Sequence, residues 1–268
     1  MGANELTQSE TPELDSELIL LHALKAHRNI LFTNPDLLLS IEQQKHFIDL
    51  IGRRKRGEPV AYILGEQGFW DLTLKVSPHT LIPRADTESL VDWVLEQGLS
   101  PNCILDLGTG TGALALALAK EFPRTQVLGV DLVPDAVALA EENARLNQIS
   151  NAQFLQSSWF EQVPSNQYEL IVSNPPYIDA QDEHLSQGDV RFEPASALVA
   201  DNLGLADLFH ITDAALSYLS AGGCLLMEHG WQQSQAVCEY LQQAGYEGVG
   251  SGKDLAGQTR FSFGFKPT

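Results

Sequence analysis

Positive charge is scarce in this 268-residue chain: 16 lysines and arginines stand against 35 aspartates and glutamates, a formal net charge of −19. Proteins that grip nucleic acid by neutralising phosphates draw that affinity from lysine and arginine, so the balance argues against a bare polyanion as partner. The shortage is uneven. Residues 1–80 hold 8 basic and 11 acidic side chains, net −3, and residues 81–268 hold 8 and 24, net −16. Cysteine is almost as rare. Cys103, Cys224 and Cys238 are an odd number with no close-spaced pair. They supply neither a disulfide framework nor a metal pattern, and read as buried thiols in a reducing cytoplasm. No apolar run approaches bilayer length, and the N-terminus is polar and acidic rather than basic and then apolar. Membrane insertion and export are therefore not expected, and a cytoplasmic location is. Internal repeats and low-complexity segments are also missing.

The patterns that are present divide the chain. Between about residues 11 and 64 apolar positions recur at helical spacing, as in Leu14, Leu18, Leu21 and Leu24, then Phe47, Ile48 and Ile51. This predicts a small helical domain over residues 1–64. Arg53-Arg54-Lys55-Arg56 falls at the end of one such helix, where cations complement the negative end of the dipole; contact with an acidic or RNA-bearing partner is the other reading. Gly57-Glu58-Pro59 then interrupts the helix. Residues 65–80 change character, with Phe69-Trp70-Asp71-Leu72-Thr73-Leu74-Lys75-Val76 alternating about a turn, and predict a β-hairpin linker. Residues 81–268 form the second domain. It opens on Pro83-Arg84-Ala85-Asp86-Thr87-Glu88, in which Asp or Thr at the cap and Glu in the first turn are ordinary helix-start chemistry. Arg84 is not explained by capping.

From Asn102 onward, strands and helices alternate. Apolar runs at residues 103–107, 127–130, 152–155, 168–173 and 223–227 predict five strands. Helices are expected at 113–120, at 136–146 with Pro134 at its start, at 205–219 and at 233–244. The chain ends in a hairpin at about Val249 and at 259–265. Such alternation implies an α/β fold, an open and mostly parallel seven-stranded sheet with helices on both faces and an antiparallel C-terminal edge.

Ligands of such sheets lie at the carboxyl ends of the strands, at the topological switch point. Three groups are predicted to meet there. Gly108-Thr109-Gly110-Thr111-Gly112 follows the first strand, Asp131 ends the second, and Asn174-Pro175-Pro176-Tyr177 follows the fourth. Gly108, Gly110 and Ala113 satisfy the loose dinucleotide pattern, and Asp131 suits any ribose diol, so the loop alone leaves a nicotinamide enzyme open. Asp106, two residues before the first glycine, would oppose a pyrophosphate but favour a cationic ligand. Asn174-Pro175-Pro176-Tyr177 is either a strand end with an Asn-Pro turn or a rigid acceptor-rich pocket. Two prolines remove two donors and fix two φ angles, leaving carbonyl oxygens and the Asn174 side chain to accept from a flat NH2 group.

Asp106-Leu107-Gly108-Thr109-Gly110-Thr111-Gly112, Asp131 and Asn174-Pro175-Pro176-Tyr177 together resemble the class I S-adenosylmethionine-dependent methyltransferases that methylate amino groups. The whole chain is similar to the bacterial release-factor glutamine N5-methyltransferases, the HemK/PrmC family. That closer likeness rests on Gly57-Glu58-Pro59, Pro83 to Glu88, Asn174 to Ile178, Asp189-Val190-Arg191-Phe192-Glu193-Pro194 with Ala197-Leu198, and Glu228-His229-Gly230 with Gln233. Ser158 departs from it, standing where the family often has an acidic residue before Trp159-Phe160, and residues 253–265 are only loosely similar.

The resemblance implies a Rossmann-like methyltransferase domain after a helical substrate-recognition domain. In it, the loop of Gly108, Thr109, Gly110, Thr111 and Gly112 lies against the methionine portion of S-adenosylmethionine, and Asp131 binds the ribose hydroxyls. It also implies that Trp159 packs by the adenine, where the residue type alone would suit a plain core aromatic. Asn174 Oδ1 and the Pro175 carbonyl would accept from the substrate NH2, with Pro176 and the aromatic Tyr177 walling the substrate pocket. The implied substrate is the glutamine of a Gly-Gly-Gln motif in peptide chain release factors, held by residues 178–202 and the N-terminal domain. No direct nucleic-acid partner, no membrane and a monomer are expected. A nucleic-acid amino methyltransferase acting on adenine N6 or guanine N2 shares the Asn-Pro-Pro-Tyr motif and is the alternative; it calls for a basic groove that a region of net −16 does not offer. His184 is a lone loop histidine and reads as exposed.

Overall fold

The computed structural model describes residues 2–165 and 167–268. They fall into two compact units, residues 2–66 with Ser186–Phe192, and Gln67–Leu185 with Glu193–Thr268.

The first unit is helical. α1 (Pro12–Leu24), α2 (Ile30–Thr33), α3 (Ile41–Lys55) and α4 (Val60–Leu64) surround Leu6, Ile19, Leu50, Ile51 and Ile63. α3 starts on a capping box: Gln43 N donates to Ser40 Oγ at 3.1 Å and Ser40 N to Gln43 Oε1 at 2.9 Å, which satisfies two N–H groups that the helix start leaves open. Its last turn carries Arg53, Arg54 and Lys55, and two of these cations are consumed internally. Arg53 donates to both oxygens of Glu58, and Arg54 bridges Asp15 and Asp189 at 2.6 Å each. The basic run is thus structural to that extent, beyond its favourable place at the helix end.

A two-stranded sheet, β1 (Glu66–Phe69) and β2 (Leu72–Lys75), opens the second unit from Gln67 onward, as the alternation predicts. α5 (Glu88–Glu96) follows a 3-10 turn, Ala85–Thr87. β3 (Cys103–Leu107), α6 (Ala113–Glu121), β4 (Gln126–Asp131), α7 (Pro134–Leu146), β5 (Ala152–Gln156) and β6 (Tyr168–Ser173) come next. After a long loop, α8 (Asp201–Gly204), α9 (Ala206–Ala215), β7 (Leu219–Glu228), α10 (Ser234–Gln243), β8 (Glu247–Lys253) and β9 (Thr259–Phe265) complete the chain. The large sheet has the order β5-β4-β3-β6-β7-β9-β8. β3 to β7 are parallel, and β9 runs antiparallel to both β7 and β8.

The strands read as unbroken apolar runs because both faces of the sheet are covered. Ile104, Leu170 and Val172 face the cluster of Leu90, Trp93, Leu114 and Leu118, while Leu105, Leu107 and Ile171 face that of Leu208, Ile211, Val237 and Leu241. Two elements differ from expectation. The helix predicted over 205–219 ends at Ala215, and β7 begins at Leu219, four residues ahead of the apolar run that announces it. Leu219 pairs with Tyr168, and a register shift before the Leu170–Cys224 pair takes up the glycines at 222 and 223. That pairing lies some fifty residues away in sequence, so local periodicity does not report it. The first strand of the terminal hairpin, expected near Val249, spans Glu247–Lys253.

Candidate active site

The register of the central strands brings three loop starts to one level. Leu107 pairs with Val130 on one side and with Ser173 on the other. The residues that follow, Gly108, Asp131 and Asn174, therefore leave the sheet side by side, and Ser173 Oγ ties the two central strand ends by donating to Leu107 O at 2.8 Å. Between β3 and β6 the chain order reverses, the place where open α/β sheets hold their ligands.

Gly108, Gly110 and Gly112 have φ of 70°, 54° and 83°, the left-handed region that a Cβ disfavours. Three such residues in five turn the loop sharply into α6. Thr109 N donates to Val130 O at 2.9 Å and Gly112 N to Thr109 O at 2.8 Å. The loop then leans on two carboxylates. Asp131 Oδ2 accepts from Gly110 N and its Oδ1 from Val133 N, both at 2.9 Å. Asp106 Oδ2 accepts from Thr109 Oγ1 at 2.6 Å and from Ala115 N at 3.2 Å. Burial raises the pKa of Asp131 against its hydrogen bonds from Val133 and Gly110. Asp106, 1 % exposed, is pushed up to about 7 by burial, with Thr109 and Ala115 pulling it down and the Asp131 charge pushing it further up. Behind the loop, the fully buried Asn143 clamps β2 to it: Oδ1 accepts from Lys75 N at 2.7 Å, and Nδ2 donates to Lys75 O and to Thr111 O at 3.1 and 2.9 Å.

A raised carboxylate has a definite consequence for stability. Between its ordinary pKa and about 7 the folded protein holds the Asp106 proton more firmly than the unfolded chain does, so this contribution is full at low pH and is lost as pH rises to about 7. Asp106→Asn keeps an oxygen for both donors. We therefore expect the melting temperature of the unliganded wild type to fall more between about pH 5 and 7.5 than that of Asp106→Asn. Parallel melting curves would refute the raised pKa.

The cleft at these strand ends has a volume of about 260 Å³. Gly108, Thr109, Gly110, Thr111, Asp131, Trp159, Asn174 and Pro176 line it, together with Asp106. Gly112, Pro175 and Tyr177 do not. Gly112 sits at the N-cap of α6, where a Cβ would crowd Ala140, Leu116 and Phe154, and Pro175 is buried. Tyr177 packs into the apolar cluster below the sheet and donates its hydroxyl to Glu228 Oε1 at 3.1 Å. Trp159 borders both regions, packing on that cluster and lining the cleft. Asn174 Nδ2 donates to Thr87 Oγ1 at 3.2 Å. Thr87 stands at the N-cap of α5 and Glu88 in its first turn, as expected, but no side chain caps the helix: the Thr87 hydroxyl turns to Asn174, and Asp86 pairs with Arg260 at 3.2 Å.

Several lining residues escape the sequence reading. Leu132, Val133 and Ser157 follow strand ends, and Ser158 joins them without the acidic group expected there. Ser196, Ala197 and Asp207 come from the loop after β6 and from α9. That loop is pinned by Glu193, whose side chain pairs with Arg84 and accepts from Ile82 N at 3.3 Å. This answers the question of Arg84, and the DVRFEP motif of the resemblance was the signal that could have found it. His184 is 81 % exposed, its ring nitrogen bonded to Asp182.

The charges fit a cation. Asp106, Asp131 and Asp207 line the cleft, and its one guanidinium, Arg84, is held by Glu193. No group of three or more histidine, cysteine or acidic side chains suited to a metal occurs among the described residues. No helix among them is long and apolar enough to cross a membrane.

Comparison with known proteins gives the same reading over nearly the full length. Residues 86–236 match the family "Methyltransferase small domain", and residues 1–65 match "PrmC N-terminal domain". The release factor glutamine methyltransferase of Aliivibrio fischeri is 50% identical over 262 residues, 97% of this chain and 92% of that one. The protein of the same name from Salmonella typhimurium is 51% identical over 98% of this chain and 95% of its own. Among solved structures, a methyltransferase from Pyrococcus furiosus has the same fold at 19% identity, with a TM-score of 0.56 over 74% of this chain and 91% of that chain. On identities near one half across almost the entire sequence, the chain belongs to the release factor glutamine methyltransferase family.

Proposed function

We propose that this chain transfers a methyl group from S-adenosylmethionine to the side-chain amide nitrogen, N5, of the glutamine in the Gly-Gly-Gln motif of peptide chain release factors. The observation that carries it is the convergence of the glycine loop, Asp131 and the Asn174 amide on one acidic cleft, in a chain of this family. When bound, S-adenosylmethionine supplies an electrophilic methyl on a cationic sulfonium. The Gly108 to Gly112 loop and Asp131 would hold its methionine and ribose portions and Trp159 its adenine. Asp106 and Asp207 make the surroundings acidic, which suits the cation.

An amide nitrogen is a poor nucleophile because its lone pair is delocalised into the carbonyl. Asn174 Oδ1 and the Pro175 carbonyl meet this by accepting the two N–H bonds of the substrate amide. That holds the nitrogen with its lone pair toward the methyl and stabilises positive charge as it develops. With Nδ2 committed to Thr87, Oδ1 is the end of Asn174 left to accept. A carboxamide is no base at neutral pH. The nitrogen becomes strongly acidic once methylated, and its proton leaves afterwards to solvent. Residues 1–64 serve as the substrate-recognition domain, residues 65–80 as linker and residues 81–268 as the methyltransferase domain in this reading.

Methyl-labelled S-adenosylmethionine tests the assignment directly. Incubation with a release factor should label it, while a release factor with the Gly-Gly-Gln glutamine replaced, and duplex DNA, should stay unlabelled. Label in the DNA or in the replaced factor would overturn the substrate.

A further inference from the structure

Pro175 and Pro176 carry no N–H, so the segment that presents the Pro175 carbonyl has no backbone donor of its own to fix it. It is held from its two ends. Before it, Ser173 Oγ donates to Leu107 O and Asn174 Nδ2 to Thr87 Oγ1. After it, Tyr177 O accepts from Gln233 Nε2 at 3.0 Å. Gln233 stands half-buried at the N-cap of α10, and its amide is fully used. Oε1 accepts from Gly230 N at 2.8 Å, and Nε2 divides its two protons between Tyr177 O and Leu203 O, the latter at 3.1 Å. These three partners allow only this orientation, because the amide turned over would set its oxygen against two carbonyls and its NH2 against an N–H.

The two carbonyls stand at opposite ends of the long loop after β6, and Gln233 joins them. Backbone bonds beside it close the same base: Ile178 N donates to Leu198 O at 2.9 Å and Ala200 N to Ile178 O at 3.0 Å, a parallel bridge of Ile178 with Val199. Asn202, Leu203 and Gly204 then follow one another in the left-handed region, with φ of 57°, 57° and 79°, a run that the side chains at the first two positions disfavour. This turn lays Gly204 so close to the motif that a Cβ there would overlap Tyr177 O and stand 2.8 Å from Gln233 Nε2. Ser196 and Ala197 within the loop line the cleft, as does Asp207 just beyond the turn. Two prolines with fixed φ transmit a shift at Tyr177 back to Pro175 instead of absorbing it. We propose that Gln233 is a positioning residue: by donating to Tyr177 O and Leu203 O it sets the direction of the Pro175 carbonyl toward the substrate amide and closes the loop beside it.

This inference rests on the reading of Asn174 and Pro175 as acceptors of the substrate amide, and the test separates the two. Gln233→Glu and Gln233→Lys divide the bonds of the amide between them. Glutamate keeps the acceptor for Gly230 N and loses both donors, whereas lysine keeps donors for the two carbonyls and loses the acceptor. Both, with Gly204→Ala and Asn174→Ala, are made in the full chain and assayed with a release factor at saturating S-adenosylmethionine, and cofactor affinity is measured by calorimetry. Gln233→Glu should lower kcat about 10–100-fold, the scale of two lost hydrogen bonds, and change cofactor affinity less than about twofold. Gln233→Lys should turn over at least about fivefold faster than Gln233→Glu. Gly204→Ala, which pushes the same carbonyl aside, should separate kcat from cofactor affinity as Gln233→Glu does. A Gln233→Glu rate within about twofold of wild type, with Asn174→Ala inactive, would overturn the inference and leave the substrate reading standing. Lysine slower than glutamate would make the Gly230 bond the one that matters and overturn it too, as would a loss of cofactor affinity in step with kcat. A fully active Asn174→Ala would overturn the substrate reading and this inference with it.

Discussion

Asn174→Ala is expected to lower turnover on a release factor by about 10²–10³-fold, the scale seen when one hydrogen bond to a developing charge is removed. The substitution deletes Oδ1, the acceptor that holds the substrate nitrogen, and strands Thr87 without its donor. It leaves Gly108, Asp131 and Trp159, which line the same cleft, untouched. S-adenosylmethionine affinity, measured by calorimetry, should therefore change far less than kcat. Asn174→Asp is the sharper companion. It keeps the acceptor but loses the donor to Thr87 and adds a charge beside its hydroxyl, so it should remain well below wild type. A near-normal kcat in Asn174→Ala would exclude the transition-state role. A parallel loss of cofactor affinity would shift the function of Asn174 to cofactor binding.

The legibility of this chain depended on how far apart the partners lie in sequence. β3 and β6 could be read because parallel strands buried on both faces are apolar throughout, and each stops at a residue type that cannot continue it, Gly108 and the pair Pro175-Pro176. Asp131 could be placed because it ends a strand some twenty residues after the loop. Thr87, Glu228 and Arg260 could not be joined in this way to Asn174, Tyr177 and Asp86, their respective partners in the fold. They come from a helix start, a strand end and a terminal hairpin, and locally Thr87 looks like a cap and Arg260 like a surface cation. Asn143 is a similar case, a polar residue on a helix whose three bonds to Lys75 and Thr111 give no local periodic signal. Tyr177 could be read as an aromatic of the motif, but the direction of its hydroxyl, away from the cleft and into Glu228, depends on a strand fifty residues on. Charge composition spoke to the partner class, yet the single-residue fact that Asp106 is buried and shifted to about 7 needs the fold around it.

Asp131→Ala should weaken S-adenosylmethionine binding by about 10²-fold or more, because the carboxylate supports the cofactor site in two ways. Each of its oxygens accepts a backbone N–H, from Gly110 in the loop and from Val133 at the start of α7, and each retains a further lone pair for a ribose hydroxyl. Alanine removes both proposed ribose acceptors and orphans two N–H groups at strand ends. Gly110 then loses the bond that holds its left-handed backbone, so the loop is less ordered before the cofactor arrives. Asp131→Asn should fall between the two, since one oxygen survives while the NH2 faces a backbone donor. The loss should appear in the dissociation constant and in the KM for S-adenosylmethionine. At saturating cofactor kcat should recover to within about tenfold of wild type, as Asn174 and Thr87 are intact. A binding change below about threefold would show that Asp131 serves only the loop and that the ribose is held elsewhere.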